Sequence, residues 1–357
     1  MKALVYKGAS ASPVIALEDR PQPTLQLPTD AIVKVLRTTI CGTDLHILHG
    51  DVPTCPPGRV LGHEGVGEVF SAGDGVKRFK KGDKVLISCI TSCATCIPCR
   101  KGLSSHCKTG GWTLGHTNDG TQAEYVRIPH ADSSLHPAPK APQGDEQGKG
   151  LVTLSDILPT GLECGVLNGK VQPGCTVAIV GAGPVGLAAL MTAQLYSPRL
   201  IVMIDRDEKR LEVAKKMGAT HAVIAGGGGG DDDVQTKARA LTDDGEGFDT
   251  VIEAVGYPAT FELCQDLVAV GGTIANVGVH GSKVDLHLEK LWGHNITITT
   301  RLVDAAATPM LLKLYEAGKL QTSSLVTHDF AFSDIVKAYD VFGKAAEHGA
   351  LKLNIEM

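Results

Sequence analysis

The sequence predicts an α/β protein in two parts: an N-terminal β-rich, barrel-like unit and a doubly wound parallel sheet of alternating strands and helices. Three observations carry this. The chain has 357 residues, enough for about two domains at roughly 150 residues each. Its first 150 residues are short β-like runs punctuated by Gly and Pro, whereas strand and helix patterns alternate after them. Gly181-Ala182-Gly183-Pro184-Val185-Gly186 follows one such strand and opens an apolar helix, the turn on which parallel sheets hold phosphate.

In the first part, residues 2–6, 31–36, 65–71, 84–87 and 123–128 are rich in Val, Ile, Leu or Tyr and bounded by turn residues, as strands are. The stretch 137–150 turns polar, Pro-rich and Gly-rich, which marks a surface loop. Strand 175–180, the glycine turn, helix 187–196, strand 199–205 and helix 208–217 follow. Segments 221–224, 234–241, 249–254, 259–267 and 273–277 continue the alternation. Glycines 226–230 with Asp231, Asp232 and Asp233 read as a flexible surface loop without chemistry. Near 295–302 the pattern leaves this unit, and from Leu311 the chain offers two helices and a strand at 350–355. A tail of about 57 residues is thin for a domain and is expected to return and complete the first unit. The expected division is 1–156 with 301–357, and 157–300 between them.

Hydrophobic residues make up 43% of the chain and charged residues 20%, which suits two cores and argues against global disorder. A net charge of −5 without a run of five or six basic residues gives no reason to expect nucleic acid or anionic membrane as a partner. A small molecule is expected instead. No apolar run approaches the ~20 residues that span a bilayer, and the start MKALVYKG lacks an apolar secretion segment. Ten cysteines in so long a chain then read as thiols in a reducing, cytoplasmic compartment rather than as a disulfide scaffold. The 42 glycines, about 12% against a usual ~7%, imply many tight turns and close backbone approaches.

The glycine turn has a physical logic. Gly181 permits the tight turn, Gly183 lets backbone approach a pyrophosphate, and Gly186 allows helix to pack on strand, with Pro184 and Val185 opening the helix whose N-H groups face the anion. Asp205 ends the next strand nineteen residues past Gly186, where a carboxylate accepts from the ribose hydroxyls of NAD and repels the 2′-phosphate of NADP. NAD is therefore the expected cofactor. Arg206 could tolerate a phosphate, and Arg210, one helical turn on, could contact the adenosine side or simply be solvated.

Two metal constellations stand out. Cys93, Cys96, Cys99 and Cys107 offer four thiolates that a short lobe can fold round one ion, as in closed, structural zinc sites. More dispersed are Cys41-Gly-Thr43-Asp44-Leu-His46 and Gly62-His63-Glu64, each placing a zinc-type ligand on a glycine-flanked loop after a β run. A catalytic zinc needs three or four protein ligands, so Glu64 or Asp156 could complete a set with Cys41 and His63. Taken alone, a Cys and a His are more often packing residues.

The segment from Gly62-His63-Glu64 through Gly67, Gly73 and Val76 resembles the signature of the zinc-containing medium-chain alcohol dehydrogenases. Cys41, the cysteine steps from 93 to 107, the glycine turn and Asp205 occur in that family's order. The resemblance implies a GroES-like β barrel closed by the C-terminal tail, a Rossmann domain, an active site in the cleft, and two zincs per chain. It implies Cys41 and His63 as ligands of the catalytic zinc, with Asp156 where the liver-type enzymes carry a second cysteine and Glu64 nearby, as in bacterial secondary-alcohol dehydrogenases. Those enzymes often lack the four-cysteine lobe and use NADP; this chain keeps the lobe and carries Asp205.

The activity implied is reversible oxidation of an alcohol, best a secondary one, to its carbonyl compound with NAD, zinc acting as Lewis acid. Thr43 would take the alcohol proton, His46 extend the relay or line the pocket, and Asp44 hold His63 in its tautomer. Ile90, Trp112 and Leu114, with Leu302 behind them, would make an apolar pocket, and Trp112 resembles a substrate-pocket residue of the bacterial group. Threonine or polyol dehydrogenation, suggested by the CGTD loop, and a non-catalytic NAD-binding redox role stay open. A homodimer or homotetramer is expected, with 269–279 as a candidate edge.

Overall fold

In a computed structural model, which describes residues 1–12, 14–226 and 231–357, the chain divides into two units. One is Met1–Asp156 together with Asp304–Met357, the other Ile157–Val303. Strands are numbered along the chain, as are helices of eight residues or more.

The first segment carries β1 (Lys2–Tyr6), β2 (Ile15–Asp19), β3 (Ala31–Thr38), β4 (Gly65–Ala72), β5 (Lys84–Ile87), β6 (Tyr125–Ile128) and β7 (Leu135–Pro137), with one helix, α1 (Gly42–His49). On β3 the side chains alternate: Val33 and Val35 point into the core while Lys34 and Leu36 are exposed. This is the period-two signature of a half-buried antiparallel strand. β2 and β7 were not legible in the sequence pattern.

The second unit contains β8 (Thr176–Val180), β9 (Leu200–Asp205), β10 (His221–Ile224), β11 (Phe248–Glu253), β12 (Val268–Asn276) and β13 (Thr297–Thr300). Its helices are α2 (Pro184–Ala193), α3 (Glu208–Lys216), α4 (Asp231–Arg239) and α5 (Pro258–Leu267). All strand pairs are parallel, in the order β10-β9-β8-β11-β12-β13. β8 and β9 are buried almost throughout, the continuous apolar run of a strand covered on both faces. The order reverses between β8 and β11, the switch point where such sheets take ligands. A helical segment at Ile157–Thr160 runs on as a π-helix at Gly161–Leu167, and it presses on α2 so closely that a Cβ on Gly161 would lie 2.6 Å from the Ala189 nitrogen.

Three expectations change here. The stretch near 295–302, read as leaving this unit, supplies its sixth strand, β13. Residues 269–279, read as a candidate edge, lie largely in β12, which β13 covers. Of the glycine-aspartate run read as a loop, Gly227–Gly230 lie outside the described residues and Asp231–Asp233 open α4.

The tail returns to the first unit with α6 (Thr308–Glu316), β14 (Val326–Ala331), α7 (Ile335–Gly343) and β15 (Lys352–Glu356). β15 pairs antiparallel with β3, extending the first unit's sheet to β14-β15-β3-β4-β5-β7, with β6 also on β3. Phe332, Ile335, Tyr339, Phe342, Leu353 and Ile355 of the tail share a core with Leu4, Tyr6, Ile40 and Ile47. At roughly 1.5–3 kcal/mol per buried large apolar side chain, this packing binds the tail as an integral part of the barrel. Among the described residues, no single helix is long and apolar enough to cross a membrane.

β7 also carries a titratable probe of the barrel. Burial, and then the Arg78 guanidinium, lower His136 to about 4. The unfolded chain, with its ordinary histidine near 6.5, binds the extra proton between those values, so this residue makes stability fall as pH drops from about 6.5 to 4. His136→Gln should remove on the order of 2 kcal/mol of that pH dependence; identical urea-unfolding profiles for parent and variant at pH 7 and pH 4.5 would contradict it.

Candidate metal centres and dinucleotide cradle

The loop after β3 brings Cys41 to the N-cap of α1, where its N-H donates to Asp44 Oδ2 at 2.9 Å. His63 and Glu64 lie just before β4. The backbone there is fixed by glycine: Gly62 has φ +91°, and a Cβ on it would stand 2.6 Å from Gln122 Cγ. From the facing segment, Thr121 N-H donates to Gly62 O and Gln122 N-H to Leu61 O, both at 2.9 Å. The hydroxyls of Thr38 and Thr121 each donate to Glu64 O at 2.8 Å. Asp156 ends the 3-10 segment Lys149–Ser155, which is stitched to the same place by Gly65 N-H donating to Ser155 Oγ at 3.1 Å and Cys89 N-H to Ser155 O at 3.1 Å.

These elements bring together Cys41, His63, Glu64 and Asp156, with one ligating atom of each within 4.8 Å of all the others. Asp156 Oδ2 lies 3.8 Å from Cys41 Sγ and 3.2 Å from His63 Nε2. Thr43 Oγ1 stands 3.7 Å from the same sulfur. Asp44, fully buried, faces the other ring nitrogen: its Oδ1 is 3.9 Å from His63 Nδ1 and has no hydrogen-bond partner. One buried cation is present. Lys352, from β15, pairs with Glu64 and donates to Ile40 O at 3.1 Å.

The electrostatics suit a metal ion. Burial pushes the Glu64 carboxyl up to about 7 against the pull of Lys352, and burial likewise raises Asp44 above the ordinary carboxylate value. Burial disfavours charge on His63, but its bonds to Asp156 and Cys41 outweigh that and hold it well above the usual imidazole range. Three acidic groups thus crowd round one lysine, with one oxygen of Glu64 unpartnered. Uncompensated charge is costly in such a place; a divalent cation balances thiolate and carboxylates together and keeps the imidazole neutral. Sulfur, nitrogen and carboxylate oxygen form a zinc-type donor set.

The second cluster is Cys93, Cys96, Cys99 and Cys107, also mutually within 4.8 Å. The sulfurs of Cys96 and Cys107 are 4.0 Å apart, close to the roughly 3.8 Å separating ligands tetrahedral about one zinc. Backbone N-H groups of Cys93 and Cys96 donate to the sulfurs of Cys107 and Cys93 at 3.2 and 3.4 Å. The Thr95 hydroxyl helps hold Cys93 down to about 5, while burial and the bonds to Cys96 and Cys107 push Cys99 up to about 12. Only a cation allows all four to ionise. Asp304 ties the lobe down, accepting from Ser105 N-H and Oγ at 2.9 and 2.7 Å. None of the ten cysteines is in a disulfide.

In the second unit, the three glycines differ. Gly181 has φ +105°, and a Cβ there would stand 2.6 Å from Val255 Cγ2; one on Gly186 would strike Gly181 O. Above Gly183 the space is open, with nothing nearer than Arg210 Nη1 at 3.9 Å. That opening lies at the N-terminus of α2, where Gly183 is the cap and Pro184 and Val185 follow, and it fits a dinucleotide pyrophosphate. Asp205 ends β9 with its carboxylate accepting from Ala182 N-H at 2.6 Å and Asp207 N-H at 2.8 Å. Two carboxylate oxygens have acceptor capacity beyond these bonds. Arg210 Nε lies 3.8 Å from Asp207, and Arg206 is exposed.

The other sequence-derived candidates divide. Trp112 stands edge-on to His63 with ring centroids 6.4 Å apart and stacks on His116 at 4.4 Å, so it flanks the ligand set. Leu114 does not line a pocket; it is fully buried in the barrel core with Val33, Val35 and Ile87. Ile90 is buried and Leu302 is half-exposed. His46, on α1, is part-exposed and turns Nδ1 to Asp51 at 2.9 Å. Sequence reasoning missed Lys352. Its signal was a lysine between two leucines, Leu351 and Leu353, at the start of the terminal strand.

A parallel dinucleotide-type sheet, a β barrel and two zinc-type donor sets together fit the class of zinc-binding dehydrogenases. Residues 27–140 match the profile of the alcohol dehydrogenase GroES-like domain and residues 184–317 that of the zinc-binding dehydrogenases. An alcohol dehydrogenase of Cupriavidus necator is 35% identical over all of this chain and 98% of its own. An L-threonine 3-dehydrogenase of Shewanella is 32% identical over 96% of both. The structure of zinc-dependent alcohol dehydrogenase 2 from Streptococcus pneumonia matches with TM-score 0.92 and 51% identity, covering 100% of this chain and 98% of that one. The chain belongs to the zinc-type alcohol dehydrogenase family.

Proposed function

We propose that the protein is an NAD-dependent zinc alcohol dehydrogenase that interconverts an alcohol, best a secondary one, and its carbonyl compound. The observation that carries this reading is the convergence of Cys41, His63, Glu64 and Asp156 on one point. Cys41, His63 and Asp156, with Glu64 alongside, would hold one zinc, and Cys93, Cys96, Cys99 and Cys107 a second, structural one. When bound, the first zinc supplies Lewis acidity toward the alcohol or carbonyl oxygen and the nicotinamide exchanges the hydride. The chain's own groups do the rest. Thr43 Oγ1, beside the Cys41 sulfur, would accept the alcohol proton while passing its own on toward the nicotinamide ribose and solvent. Asp44 keeps the imidazole of His63 oriented through Nδ1. Trp112 presents an apolar face that suits alkyl substituents and keeps water from the ligand set. Gly183 admits the pyrophosphate, and Asp205 accepts from the ribose hydroxyls, which favours NAD.

The resemblance to L-threonine 3-dehydrogenase supports a second reading, with an amino acid or polyol as substrate. A substrate carboxylate calls for a free cation at the site. Lys352, the cation beside these ligands, is already engaged by Glu64 and Ile40 O, which favours an uncharged alcohol.

The zinc assignment predicts two zinc ions per chain. Cys41→Ser should reduce this to one and lower turnover by more than about 100-fold, with the fold and NAD binding intact; a variant retaining full activity would sink the assignment. Assayed on primary alcohols, secondary alcohols, polyols and L-threonine with NAD+ and NADP+, the parent should prefer secondary alcohols and NAD+. Asp205→Gly should erode the cofactor preference, and a selectivity ratio unmoved by that change would count against the ribose role.

A homo-oligomer also follows from this reading, as dimer or tetramer. The uncovered side of β13 ends the sheet, and an unprotected edge is a template for pairing; Val270, Val279 and Trp292 of the same unit are largely exposed. Light scattering should return at least twice the chain mass at micromolar concentration, and a monomer mass would refute it.

A further inference from the structure

We propose that Gln122 and Tyr339 are positioning residues for the first metal centre: the Tyr339 phenol fixes the Gln122 amide, and that amide decides which oxygen of Asp44 is offered to His63. This rests on the reading that Cys41, His63 and Asp156 hold zinc.

Asp44 has two oxygens in different circumstances. Oδ2 accepts from Cys41 N-H at 2.9 Å and from Gln122 Nε2 at 3.2 Å. Oδ1 has no hydrogen-bond partner and is the oxygen that faces His63 Nδ1. With both donors on Oδ2, Oδ1 is left to the imidazole.

The amide of Gln122 could in principle face either way. If reversed, it would set its carbonyl oxygen against the Asp44 carboxylate and against Thr39 O, two acceptors. In the observed orientation Nε2 donates to both, at 3.2 and 3.1 Å, while Oε1 accepts the Tyr339 hydroxyl at 2.8 Å. The two acceptors demand this orientation, and the Tyr339 hydroxyl, donating to Oε1, completes it. The phenol is a constant donor, since burial raises it well above the ordinary tyrosine value. Gln122 is itself fully buried, and it packs against Gly62, the residue before His63, closely enough to exclude a Cβ there. One side chain therefore touches the peptide of Thr39 two residues before Cys41, the carboxylate behind His63 and the backbone next to His63. Tyr339 lies on α7, so the tail reaches the ligands through this chain of contacts.

The test compares the parent with Tyr339→Phe, which removes one oxygen and keeps the ring in its core. Zinc is titrated against a chelator, and the first site is loaded with cobalt(II) to read its thiolate charge-transfer band. Tyr339→Phe should release the first metal about tenfold more readily and shift the cobalt spectrum, with the four-cysteine zinc unchanged. Gln122→Met should do the same or more, and adding Tyr339→Phe to it should cost nothing further, because the two act in series. Unchanged metal release and cobalt spectrum in Tyr339→Phe, or additive effects in the double variant, would overturn the proposal. So would a loss of thermal stability in metal-free Tyr339→Phe with no change in metal release. If the parent holds zinc only at the four-cysteine site, the zinc reading fails first and this inference with it.

Discussion

The first unit is organised around a problem of buried charge. Cys41, Glu64 and Asp156 stand together in a largely dry place with a single ammonium group, Lys352, among them. Acidic groups so placed either stay protonated or need a cation, because the solvation they give up is worth several kcal/mol per ion. Much of the local architecture serves to hold that arrangement: the capped start of α1, the glycine contact at Gly62, the 3-10 segment before Asp156, and the lysine from β15. Each comes from a different part of the chain, so the barrel is what makes them neighbours.

Close approach of backbone to backbone is the means. Gly62, Gly115 and Gly120 meet so tightly that a Cβ on Gly120 would collide with Gly62 O, and the segment carrying Gln122 is thereby locked against the segment carrying His63. The second unit uses the same device twice, where Gly186 meets Gly181 and where Gly161 meets α2. The excess of glycine in the composition is thus partly a packing requirement of the two candidate sites, in addition to a requirement of turns.

What could be read from the sequence follows from how local each signal is. The cysteine lobe and the glycine turn with Asp205 are compact patterns whose spacing reflects local geometry. Strands β8 and β9 were legible as continuous apolar runs between turn residues. Asp156 was legible only as one of two carboxylates that could complete the set, and the resemblance singled it out, since no local pattern marks it as a ligand. Leu114 was misassigned because an apolar residue beside a loop carries no sign of which way it faces, and the core took it. β13 was missed because four residues rich in threonine pair with one neighbour only and need no apolar pattern. Gln122 and Lys352 act through partners 78 and 288 residues away, a distance at which no local pattern exists.

The C-terminal tail has a consequence for how the protein is made. β15 pairs with β3 across more than 300 residues, and it carries Lys352. During synthesis the residues of the second unit are complete before β15 emerges, so that unit can fold while Cys41, His63 and Asp156 wait with their sheet unfinished and Lys352 not yet translated. The charge balance of the first centre therefore closes late: it needs a lysine carried by a strand that follows the whole of the second unit in the chain.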